Sequence, residues 1–175
     1  MPFRRILFLK DNLYHIYSRG DRKEPIFVDE RDYQRFLEKL EEYKKKFAQD
    51  VLAYCLLPNH FHLLLKQLTA VSVTKFMSVL LNSHARYFAV KHGLPPGHVF
   101  QGRFGSRLIE SEADLLNTSR YIHLNPVKQK ILALDFTYQQ SRRIKSPTII
   151  DALRSYKWSS YGFYLRQKQR GIVTI

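Results

Sequence analysis

From Val51 to Lys66 the chain reads VLAYCLLPNHFHLLLK, two apolar runs separated only by Pro58 and Asn59. VLAYCLL is a short continuous apolar run of the kind that forms a buried strand, and a Pro-Asn pair makes a tight turn into HFHLLLK. Two strands are therefore predicted back to back. Alternation along the second puts His60 and His62 on one face and Phe61, Leu63 and Leu65 on the other.

The flanking segments supply the rest of a fold. Leu13 to Ser18 (LYHIYS) is rich in β-formers and runs into the turn signal SRGDRKEP, which predicts a first strand and a loop. Asp29 is placed to cap a helix in which Phe36, Leu37, Leu40, Tyr43 and Phe47 recur at three- and four-residue steps, ending near Ala48. A second helical pattern runs from about Ser72 to His92, with Phe76, Leu80, Tyr87 and Val90, and stops at HGLPPG. GHVFQGRFGSRLIES ends in a fourth strand. Ser111, with Asp114 three residues on, then opens a helix that Pro126 is expected to close.

Strand, helix, strand, strand, helix, strand is the split βαβ order. It predicts an α+β, ferredoxin-like fold: a four-stranded antiparallel sheet with helices on one face, plus a C-terminal tyrosine-bearing helix. At 175 residues one domain is expected over 1–175, with a basic extension at about 131–175. Within that extension the stretch from Ile131 to Lys157, around SRRIKSP, is weakly patterned and reads as a loop leading to KWSSYGFYL.

Charge narrows the partner. Twenty-nine Lys and Arg against fifteen Asp and Glu leave +14, the footprint of a protein that neutralises phosphates. A generically basic protein or a peripheral membrane binder is the competing reading. The single cysteine, Cys55, leaves no internal disulfide framework and no Cys-based zinc site, which fits a reducing cytoplasm. The apolar stretch Ile6 to Leu9 is too short for a signal sequence, and no run of about 18 apolar residues occurs, so no membrane span is expected and the chain is read as cytoplasmic.

His60 and His62, about 7 Å apart on one strand face, can converge on a single cation. The alternative is two histidines packed or solvated on a half-buried strand. Tyr121 and Asn125, four residues apart, share a helical face. A phenol with an ordinary pKa of about 10 needs a nearby cation or base to act as a nucleophile. Asn125 could offer its amide oxygen to the same metal, with His123 as fallback, although a residue before proline is pushed out of the helical region. On pattern alone Tyr121 reads as a helical core aromatic, since such positions usually pack. Arg103 and Arg107, in GRFGSRL, and Arg120, next to Tyr121, are best placed to meet phosphates, with Gln101, His84 and Arg19 as further candidates.

The strings AYCLLPNHFHLLL, GHVFQGRF, RYIHLNPVK and KWSSY, in this order, resemble the HUH-type single-tyrosine transposases of the IS200/IS605 group, and most closely the REP-associated tyrosine transposases. The resemblance runs from about Tyr14 to Tyr161. It implies a ferredoxin-like fold, a divalent metal (Mg2+ or Mn2+) on His60 and His62, Tyr121 as the nucleophile, and Asn125 completing the metal shell. Many insertion-sequence members carry glutamine at the position of Asn125, and the stretch between Ile131 and Trp158 is longer and more basic than in simple members, so it is expected to contact DNA. Two imidazoles and an amide would physically also suit zinc or cobalt.

The activity so implied is metal-dependent cleavage and rejoining of single-stranded or hairpin DNA through a 5′-phosphotyrosine, in a protein associated with the nucleoid of a prokaryote and acting as a possible homodimer. Two other functions stay open on the sequence: a module that binds single-stranded or hairpin nucleic acid without cutting it, and a metal-dependent nuclease in which water attacks. Replication initiation or conjugative nicking would share the same chemistry.

Overall fold

The computed structural model describes residues 7–95, 97, 99–133 and 146–166. Four strands, β1 (Leu13–Arg19), β2 (Gln49–Leu57), β3 (His60–Gln67) and β4 (Gly105–Ile109), form one sheet in the order β2-β3-β1-β4. Every neighbouring pair is antiparallel. The helices are α1 (Glu30–Lys46), α2 (Val73–His92), α3 (Glu112–Ala133), α4 (Ser146–Ser155) and α5 (Tyr161–Arg166). This is the expected α+β, split βαβ arrangement, and no helix among the described residues is long and apolar enough to cross a membrane.

The pleat sorts the side chains. Phe61, Leu63 and Leu65 of β3 and Tyr14 and Ile16 of β1 are fully buried against Phe36 and Leu40 of α1 and Phe76 and Leu80 of α2. Each such side chain contributes about 1.5–3 kcal/mol relative to leaving it exposed. The opposite face packs a smaller cluster, Ala53, Cys55, Leu57, Leu64 and Ile109, against Ile122 of α3. The sheet is thus covered on both sides, with α1 and α2 on one face and the tyrosine-bearing helix on the other.

Local signals set the helix ends. Asp29 and Asp32 form a reciprocal capping box at the start of α1, Ser72 accepts the Thr74 N–H at 3.0 Å to start α2, and Gly93 closes α2 in the left-handed conformation at φ 65°. Ser111 accepts the Asp114 N–H at 3.1 Å, which opens α3 as its spacing predicts.

Two expectations are corrected. Pro126 does not close α3, which continues to Ala133. Proline removes the N–H that would serve the Ile122 carbonyl, at a cost of about 3 kcal/mol. One residue earlier, the Asn125 side chain donates to the Tyr121 carbonyl at 2.8 Å, and Pro126 and Val127 are themselves buried, so packing outweighs the local preference. The stretch from Ile131 to Lys157 is likewise not a plain loop. Its first residues extend α3, and Ser146–Ser155 is a helix opened by the start signal Ser-Pro, with Leu153 buried. Residues 134–145, with most of SRRIKSP and its expected DNA contact, lie outside the described residues.

Two of the sequence strings act as edge strips. Leu56 N–H donates to the Trp158 carbonyl at 2.9 Å and Ser160 N–H to the Tyr54 carbonyl at 3.0 Å, so KWSSY covers the free edge of β2. Gln101 N–H donates to the Arg19 carbonyl at 3.0 Å and Asp21 N–H to the Val99 carbonyl at 3.1 Å. Residues 99–101 therefore prolong the β1 edge, and Gln101 and Arg103 line the cleft beside the histidine strand.

Candidate active site

In the sheet register His62 lies opposite Tyr17 of β1 and Cys55 of β2, and His60 lies opposite Arg19 and Leu57. Both imidazoles face the side covered by α3. Their ring centroids are 5.2 Å apart with planes nearly perpendicular. Each ring is tied to the protein through Nδ1. His60 Nδ1 lies 2.7 Å from Asn59 Oδ1, and the Asn59 amide in turn donates to the Lys23 carbonyl at 3.2 Å. His62 Nδ1 lies 3.0 Å from Nε2 of His15 on β1.

Burial pushes His62 down to about 3, helped by the neighbouring His15, His60 and Lys128, and pushes His15 down to about 4, helped by Arg107. His60 is lowered by burial and then by Arg19. The rings are consequently neutral at pH 7, the form that coordinates a cation. With Nδ1 of both histidines engaged, the two Nε2 atoms are the ligands left to offer. The donor set fits a divalent metal with further positions open to water or phosphate.

Among the described residues Asp29, Asp32 and His92 form another cluster of possible ligands. The Lys91 ammonium already sits in it, 2.6 Å from Asp29 and 2.8 Å from Asp32, and the two carboxylates also cap α1. That cluster is part of the fold.

Helix α3 carries Tyr121 to the histidines. Ile122 anchors the helix in the small core, and its neighbour Tyr121 is 41% exposed, so the tyrosine is not a core aromatic. The Tyr121 ring lies 5.4 Å from that of His62 and 5.8 Å from that of His15, edge-on to both. Lys128 Nζ stands 4.3 Å from its centroid. Tyr17 completes the wall. It lies across Gly105, directly opposite on β4, where any Cβ would overlap the Tyr17 ring.

Two adjoining clefts share Tyr17 and His62. One, of about 730 Å³, is lined by His60, Arg19, Lys23, Gln101 and Arg103. The other, of about 430 Å³, is lined by Tyr121, His15, Arg107, Asp114 and Thr118. Arg19 Nε donates to Gln101 Oε1, which joins two of the sequence candidates. Arg107 is committed within the protein: it donates to both Asp114 oxygens at 2.7 and 2.8 Å and to Thr118 Oγ1 at 2.5 Å.

Other candidates stand elsewhere. The described hydrogen bond of Asn125 runs to the Tyr121 backbone and to neither histidine. His123 is no fallback ligand: about 200° around the helix from Tyr121, it faces Ser160 Oγ at 2.8 Å and the rings of Tyr161 and Tyr164. Arg120 is exposed on α3 and lines neither cleft. His84 is buried among Phe27, Phe36 and Phe88, with Nε2 2.8 Å from the Ile26 carbonyl, and belongs to the core. Sequence reasoning missed His15, Tyr17 and Lys128. The alternation His15, Tyr17, Arg19 along β1 was the available signal for the first two.

Residues 9–125 match a family model described as "Transposase IS200 like". Among solved structures the chain is similar to a REP-associated tyrosine transposase bound to a REP hairpin, at 16% identity and a TM-score of 0.69, covering 100% of this chain and 92% of that one. A transposase candidate from Deinococcus radiodurans aligns at 18% identity and a TM-score of 0.49, over 70% of this chain and 95% of that one. No curated protein matches the sequence.

Proposed function

The chain belongs to the IS200-like transposase family, and from that premise we propose that it cuts and rejoins single-stranded DNA with Tyr121 as the covalent nucleophile. The observation that carries this reading is the exposed Tyr121 ring 5.4 Å from His62, on a helix otherwise pinned to the sheet. A tyrosine that merely packed would have no reason to stand in a cleft beside a histidine pair with both Nε2 atoms left over.

His60, His62 and, after a turn of its side chain, Asn125 would hold a divalent cation, Mg2+ or Mn2+. When bound, the cation supplies positive charge to the non-bridging oxygens of the scissile phosphate. The protein's own residues do the rest. Arg19, Gln101 and Arg103 line the cleft in which the strand lies, and Tyr121 Oη attacks in line. One oxygen–phosphorus bond forms to the tyrosine and the bond to the 3′ oxygen breaks. The proton given up by the phenol is matched by the one the 3′ oxygen takes. A phosphodiester replaces a phosphodiester, so an incoming 3′-hydroxyl can reverse the step without ATP. Hairpin DNA is the proposed substrate form, supported by the fold shared with the REP-associated transposase solved on a REP hairpin.

Incubation with labelled hairpin DNA and manganese, followed by denaturing electrophoresis, tests the reading. A covalent protein–DNA adduct that is lost in Tyr121→Phe is expected. Cleavage that survives Tyr121→Phe without an adduct would establish a water-using nuclease, and tight binding with neither would leave a non-catalytic module.

A further inference from the structure

We propose that His15 is a positioning residue for the metal site: its Nε2 accepts the Nδ1–H of His62 and so keeps the lone pair of His62 Nε2 turned to the cleft. The inference rests on the reading of His60 and His62 as the metal pair.

The geometry is specific. His15 and His62 sit diagonally across the β1–β3 ladder on one face, where His15 pairs with Leu64 and His62 with Tyr17. Diagonal neighbours are within reach of long side chains. Both imidazoles are buried, at 7% and 6% exposure, and their ring nitrogens meet at 3.0 Å. One proton must lie between the two nitrogens, and its owner decides what His62 can do. If His15 donated, the His62 proton would sit on Nε2 and that atom could not ligate. If His62 donates from Nδ1, its Nε2 is free.

His60 shows the same solution with a different partner. Its Nδ1 faces Asn59 Oδ1, an acceptor only, and the Asn59 amide is oriented by its bond to the Lys23 carbonyl. His60 therefore donates from Nδ1 and keeps Nε2 for the cleft. A histidine ligand whose other nitrogen is held in this way has its tautomer and ring angle fixed before the metal arrives. His15 does for His62 what Asn59 does for His60. Its ring also lies 5.8 Å from that of Tyr121, so one side chain borders both the histidine and the nucleophile.

Two measurements decide the matter without DNA cleavage. Long-range proton–nitrogen NMR of the wild-type imidazoles should show His62 as the Nδ1–H tautomer; the Nε2–H form would overturn the proposal. Titration of the protein with Mn2+ alone should show affinity falling about 10- to 100-fold in His15→Phe. His15→Gln, whose side-chain amide oxygen can take the place of Nε2, should recover most of it. Undiminished Mn2+ affinity in His15→Phe, with affinity lost in His62→Ala, would overturn the role of His15 alone. Undiminished affinity in His62→Ala would overturn the metal pair and this inference with it.

Discussion

Ser160 Oγ lies 2.8 Å from His123 Nε2, which ties the helix that carries Tyr121 to the segment that covers the sheet edge. The same hydroxyl accepts the Tyr54 N–H of β2 at 2.9 Å, and Ser160 is fully buried. Ser160→Ala leaves both groups without a partner away from water. A loss of about 1–3 kcal/mol is expected, read as a lower urea midpoint at unchanged slope. An unchanged midpoint would show that this joint does not contribute to the fold.

Acid should destabilise the protein earlier than carboxylate titration would. Burial holds His15, His84 and His123 down at about 4 and His62 at about 3, against 6.5 for a free imidazole. Between about pH 6.5 and pH 4 the unfolded chain therefore binds more protons than the folded one, so stability rises with pH across that window and is lost as pH falls through it. Urea midpoints should be flat above about pH 7 and drop steadily below about pH 6.5. His84→Gln, which retains a donor for the Ile26 carbonyl, should make the drop shallower. A midpoint constant from about pH 7 to about pH 4.5 would contradict this account.

The sheet and its two-faced β3 were legible because period-two alternation needs no knowledge of the rest of the chain: Phe61, Leu63 and Leu65 mark the core side and His60 and His62 the other. The partners of those histidines were harder to see. His15 meets His62 only through the β1–β3 register, and nothing in LYHIYS distinguishes a site histidine from a strand residue. The hold of Asp114 on Arg107 was not legible, because Asp114 belongs to the next element. His123 is the opposite case, since its position two residues from Tyr121 already placed it on the far side of any helix. Pro126 misled because a local rule was applied where burial of Pro126 and Val127 decides.

The clefts make a distinction among arginines that salt dependence can read. Arg103 lines the cleft of the histidine pair, and Arg107 lines the neighbouring cleft, where Asp114 and Thr118 hold its guanidinium. Each phosphate contact contributes about 0.7–0.9 to the slope of log affinity against log salt. Arg103→Ala should reduce the slope for hairpin DNA by about that amount, and Arg107→Ala should change it much less. Equal reductions for the two variants would place Arg107 on the DNA.

On the proposed reading of Tyr121 as the nucleophile, Lys128 offers the sharpest test of how it is activated. It stands two helical turns beyond the tyrosine, and only because α3 runs on through Pro126 does its ammonium come within 4.3 Å of the Tyr121 ring centroid. A cation over the ring face is attracted by the ring's quadrupole and also opposes the negative charge that gathers on the phenol oxygen as its proton leaves. Removing one preorganised hydrogen-bond donor from a reacting centre costs about 100- to 1000-fold in rate, and a charge acting across the ring contributes less. Lys128→Met, which keeps the length and loses the charge, should slow single-turnover adduct formation by about tenfold or more under saturating DNA. Lys128→Arg should retain most of the rate. If the methionine variant forms adduct at the wild-type rate once DNA is saturating, Lys128 serves binding alone and the activating cation must be sought at the histidine pair.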